Sequence, residues 1–148
     1  MALAYVLDTS VMVAAFRSGR GASRQLLLCA LARRFELLLS VPLVLEYEAV
    51  LTRTEQLTAF GIARRDVEHV LDDVVSIARP VRLAYRWRPQ LTDPKDDIVL
   101  ETAVNGNADA VVTFNQTDFA ALSKEFDCRV LLPRVALLEL RGKRDETK

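Results

Sequence analysis

The chain has 148 residues, 51% of them hydrophobic and 27% charged, which suits one soluble globular domain with a sizeable core. Twenty Lys and Arg offset twenty Asp and Glu, so no whole-protein field selects a polyanion, and any nucleic-acid reading must rest on a local site. Cys29 and Cys128 are far apart with no CxxC spacing, no apolar run nears the ~20 residues that span a bilayer, and the N-terminus carries no basic cleavable leader. These features exclude a disulfide framework and a zinc site, and they predict a cytosolic protein with no membrane partner.

Ala4–Leu7 is apolar without alternation, the pattern of a strand buried on both faces of a parallel sheet. Asp8 ends it abruptly, and a carboxylate at the end of a buried strand needs a donor, a cation or water. Either Asp8 caps the following helix, for which Thr9 and Ser10 also offer N-caps, or it serves a site. Residues 22–34 follow the breaker pair Gly19 and Gly21 and predict a helix; 35–40 predict a second strand, and Pro42 opens a helix through LVLEYEAVLTR. Residues 54–78 read as helical segments broken near Gly61, the second with an apolar stripe and a charged face.

A weak third strand is expected at 80–83, then a loop through 84–94 with two prolines. Residues 96–107 form a helix with a Gly/Asn stop, 110–113 a fourth strand, 118–125 a helix and 129–132 a fifth strand. Pro133 starts a last helix reaching about Leu140, and 141–148 make a mixed-charge tail expected to fray. Strands alternating with helices imply one domain over 1–140, an α/β fold with right-handed crossovers and a mostly parallel sheet.

In such a sheet the carboxyl ends of the strands share one edge, and ligands bind there where the strand order reverses. Asp8, Glu46, Asp97, Asn115 and Asp118 all fall toward that edge. Glu46 sits among Leu43, Val44, Leu45 and Tyr47, so it faces either solvent, with Glu48, or the cleft. Asp93 and Asp96 are accounted for as favourable charges at a helix N-terminus. Asp97 and Glu101 are four apart on one helical face, repulsive without a cation and useful with one, although plain surface also suits Glu101. Oxygen donors with no His or Cys nearby describe a hard-cation site for Mg²⁺ or Mn²⁺, which suits phosphoryl transfer. His69, the only histidine, lies among Glu68, Asp72 and Asp73 and reads as surface; Ser10 and Thr113 lack a His partner and read as supporting groups.

The segments VLDTSV, VPLVLEYEAVL with Glu46, DPKDDIVLETA and ADAVVTFNQTDF, in this order and spacing from about Leu3 to Leu137, resemble the PIN domain, and within it the VapC-like toxins of prokaryotic toxin-antitoxin systems. The resemblance implies a three-layer α/β/α sandwich with a five-stranded sheet and a Mg²⁺- or Mn²⁺-dependent endoribonuclease. It also implies metal acids at Asp8, Glu46 and Asp97, a cognate antitoxin and a homodimer. Where the family places a fourth acid this chain has Asn115, with Asp118 three residues later as the acid that would compensate. Arg17, Arg20, Arg24, Arg86 and Arg88 are candidates to hold RNA phosphates around the acidic edge. Two other classes stay open: a PIN-like module that binds RNA or a partner without cutting, and a haloacid-dehalogenase-like phosphatase, which would want an acid where Ser10 stands.

Overall fold

The apolar run Ala4–Leu7 forms β1, the central strand of a five-stranded, all-parallel sheet in a computed structural model that describes residues 2–84 and 94–146. The other strands are β2 (Glu36–Leu39), β3 (Arg79–Pro80), β4 (Ala110–Val112) and β5 (Arg129–Leu131), in the order β3-β2-β1-β4-β5. Tyr5 pairs with Leu37 on one side and Ala110 on the other, and Leu7 with Val112. Tyr5, Val6, Leu7, Leu37, Leu38 and all of β4 are fully buried, which explains why these strands read as unbroken apolar runs.

The helices are α1 (Thr9–Arg17), α2 (Ala22–Leu31), α3 (Val41–Leu51), α4 (Thr54–Phe60), α5 (Arg64–Ile77), α6 (Pro94–Asn105), α7 (Ala120–Glu125) and α8 (Pro133–Glu146). Right-handed crossovers put α1 to α5 on one face and α6 and α7 on the other. In agreement, α2 packs on α1, α5 and α8, whereas α6 lies on β1, β2 and β4. The three-layer α/β/α arrangement expected from the sequence is therefore the one observed.

Several boundaries differ from expectation for physical reasons. Helix α2 stops at Leu31, and Arg33 takes a left-handed conformation (φ 59°) that turns the chain into β2. Strand β3 is only Arg79–Pro80, an exposed edge piece whose pairing ends with Val81 N donating to Leu39 O (2.7 Å). The fourth connection opens with a 3-10 turn, Gln116–Phe119, before α7. Helix α8 continues past Leu140 to Glu146, so its backbone takes up most of the segment expected to fray. Gly106 is needed at the end of α6: a Cβ there would meet Leu38 Cδ1 and Val81 Cγ2 at 2.9 Å.

Candidate active site

The strand order reverses at β1, which has β2 on one side and β4 on the other, so the ligand crevice of an open parallel sheet opens at the ends of β1 and β4. Asp8 stands there. Its backbone N–H extends the ladder to Val112 O (2.9 Å), and its side chain is 5% exposed. By backbone position Asp8 is the N-cap of α1, yet its carboxylate makes no capping hydrogen bond. Instead Ser10 Oγ (2.8 Å) and Thr113 Oγ1 (2.7 Å) both donate to Asp8 Oδ2. Thr113 Oγ1 in turn accepts from the backbone N–H of Asn115 (2.9 Å). The capping alternative therefore fails, and so does the expectation that Thr9 or Ser10 would cap α1. The hydroxyls of Ser10 and Thr113 instead set the orientation of Asp8, and among the described residues both of its hydrogen bonds fall on Oδ2.

Helix α6 brings the second group. Asp97 is 2% exposed and Glu101 fully buried, one turn apart on the face that packs against the sheet; plain surface is thereby ruled out for Glu101. The neighbouring Thr102 ties α6 to the start of α3: Thr102 Oγ1 donates to Ile98 O (2.7 Å) and shares a 2.7 Å hydrogen bond with Ser40 Oγ. Ser40 caps α3 by accepting from Leu43 N (3.4 Å). Glu46, on α3, is half-buried, as is Glu48. The next residue, Tyr47, is fully buried and donates its hydroxyl to Leu7 O. Burial, and then the negative charge of Asp8, push the Tyr47 phenol well above its ordinary range.

The remaining candidates divide. Asn115 precedes the 3-10 turn with an exposed side chain, and its backbone belongs to the Asp8 network through Thr113. Asp118 lies on that turn and is exposed. Arg17 and Arg20 are exposed, with Arg17 NH2 3.4 Å from Gln56 Oε1; Arg24 spends its Nε on Ala15 O. Arg86 and Arg88 lie outside the described residues. His69 is exposed on α5, as expected.

Asp8, Asp97 and Glu46 offer only carboxylate oxygens, the donor chemistry that suits a hard divalent cation. Among the described residues no group of three or more His, Cys, Asp or Glu is arranged to hold a metal ion. The fit is thus one of donor type and burial: Asp8 and Asp97 are withdrawn from water on elements that pack together. Tyr47, Ser40 and Thr102 were not singled out in the sequence. A Tyr inside an apolar helix needs a partner for its hydroxyl, and a Ser two residues before a helical Pro is an N-cap signal.

The model of the PIN domain family matches residues 4–117. No curated protein matches the sequence. Among solved structures, the chain resembles the crystal structure of VapBC2 from Rickettsia felis bound to a DNA fragment from their promoter, with a TM-score of 0.58 and 13% sequence identity over 86% of this chain and 98% of that chain. At that identity the likeness speaks for the fold. Among the described residues no helix is long and apolar enough to cross a membrane.

Proposed function

The chain belongs to the PIN domain family, and we propose that it is a divalent-metal-dependent endoribonuclease acting as the toxin of a toxin-antitoxin pair. One observation supports this reading: Asp8, at the end of the central strand, and Asp97, on the helix that packs against that strand, are both buried carboxylates, and Asp8 is fixed on one oxygen by two hydroxyls. Asp8, Glu46 and Asp97 would hold Mg²⁺ or Mn²⁺, with Glu101 behind Asp97 and Asp118 as an outer acid. A cation so held supplies charge neutralisation at the phosphate and a water of lowered pKa. The protein's own part is positioning. Ser10 and Thr113 hold Asp8 in one orientation before any ligand arrives, and Asn115 N–H holds Thr113. Burial of the acids places their charge where the local dielectric is low and electrostatic effects are strong. Arg17 and Arg20 are exposed cations that suit RNA phosphates, and Arg86 and Arg88 are assigned the same role from sequence; Arg24 serves with its terminal nitrogens. A cognate antitoxin is the proposed protein partner, which the likeness to VapBC2 supports, and a second copy of the chain is proposed from the family resemblance.

The test is cleavage of an RNA with both ends labelled by the natural protein and by Asp97→Asn, each in Mn²⁺ and in EDTA. Internal cleavage is expected only for the natural protein with metal. Cleavage in EDTA, or by the variant, would overturn the assignment.

A second reading, a module that binds RNA without cutting it, is favoured by one feature: a neutral Asn115 where the family pattern has an acid. The four combinations of Asn115→Asp and Asp118→Ala decide it as a double-mutant cycle. If Asp118 compensates, Asp118→Ala is severe in the natural chain and mild beside Asn115→Asp. RNA retained but left intact by the natural protein, and cleaved by Asn115→Asp, would instead establish the silent module.

A further inference from the structure

Beside the acidic crevice lies a cavity of about 360 Å³ whose walls are almost wholly apolar. Ala14 on α1, Ala22 at the start of α2, Phe114, and Leu132 and Pro133 at the start of α8 form it, with Arg134 at its rim. Phe114 is 50% exposed although it directly follows Thr113, the residue that holds Asp8. An aromatic ring left half in water one residue from the proposed reaction centre does little for the core. The cavity is at the small end of the roughly 300 to 1,000 Å³ typical of ligand pockets, which suits one flat heterocycle rather than a whole nucleotide chain. Positive groups contribute to its wall: the N-termini of α2 and α8 both meet it, and Arg134 is exposed.

From this arrangement the geometry points to a nucleobase subsite: Phe114 stacks one unpaired base of single-stranded RNA in this cavity, while Arg134 and the two helix ends attract the phosphate attached to it. Stacking on an aromatic face is how single-stranded nucleic acid is commonly held, because every base offers a π-face. The small volume and apolar lining make the pocket selective by shape, so it sets which base lies beside the scissile phosphate. This inference rests on the reading of the protein as a ribonuclease, but its test does not.

The experiment is an amide NMR titration of the natural protein with AMP, CMP, GMP and UMP in EDTA, so that neither metal nor cleavage takes part, with ribose 5-phosphate as the baseless control. The amides of Ala22, Phe114, Leu132 and Arg134 are expected to shift with the nucleotides, one base binding more tightly than the others, while ribose 5-phosphate moves the helix-end amides only weakly and leaves Phe114 in place. Phe114→Ala should weaken binding by roughly 5- to 100-fold with the melting temperature little changed, because the side chain is half exposed; Phe114→Tyr should retain it. No shift in these amides, an equal response to ribose 5-phosphate, or unchanged affinity in Phe114→Ala would each overturn the subsite. A pocket that binds bases in a protein that cuts no RNA would leave the subsite standing and remove the nuclease reading; cleavage with an inert pocket would do the reverse.

Discussion

Helices α5 and α6 are both rich in acids, and they treat them in opposite ways. On α5, Val67, Leu71 and Val74 are buried while Asp66, Glu68, Asp72 and Asp73 stay in water, and Arg64 pairs with Glu68 at 2.8 Å on an exposed face. On α6, Asp97, Glu101 and Thr102 are buried together with Val99, Leu100 and Ala103. The acids of α5 keep their hydration, whereas withdrawing a carboxylate from water is costly unless hydrogen bonds or a cation compensate it. Solvent accounts for the acids of α5, whereas the buried acids of α6 are the ones to which the proposed function gives a duty.

The largest effect should come from the pair Asp97→Asn and Asp72→Asn. The first should lower RNA cleavage by roughly a thousand-fold, since a divalent cation contributes several kcal/mol to the transition state; the second should leave the rate unchanged. Equal losses would dissolve the distinction between the helices. Leu71→Ala sharpens it from the other side: removing a buried Leu should cost about 2 to 5 kcal/mol of stability in denaturant unfolding, while the cleavage rate per folded molecule stays the same. Thr113→Val keeps the shape and deletes one donor to Asp8, so cleavage should fall by roughly 10- to 100-fold, as for other groups that orient a metal ligand. Thr113→Ser should recover most of it, and a Val variant as active as the natural protein would show that this hydrogen bond does not matter. The smallest effect belongs to Arg64→Ala, where loss of an exposed ion pair should shift stability by no more than about 0.5 kcal/mol.

The same contrast explains what could be read from the sequence. Helix α5 was legible because solvent imposes a period of 3.6 on its polar residues. Strands β1, β2 and β4 were legible because burial on both faces leaves unbroken apolar runs. Asp8 stood out as the acid that ends such a run. Glu101 was ambiguous because a spacing of four places two acids on one face without saying which face looks inward; only the packing of α6 on the sheet decides that. The two hydroxyls on Asp8 come from positions 105 residues apart in Thr113 and two apart in Ser10, and only the nearer is visible in local sequence. Strand β3 was misplaced because an edge piece that pairs through just Leu38 and Leu39 leaves little trace in hydropathy. Helix α8 runs longer than expected because its charged end keeps helical backbone without needing an apolar face.

The proposed duty of the buried acids at this edge is to hold a divalent cation, and thermal unfolding against Mn²⁺ concentration tests it most directly. The natural protein and Asp72→Asn should gain about 2.7 kcal/mol, several degrees in melting temperature, at ~100 times the dissociation constant, while Asp97→Asn should gain little at the same Mn²⁺. A natural protein whose melting temperature ignores millimolar Mn²⁺, or an Asp97→Asn variant stabilised just as much, would contradict it.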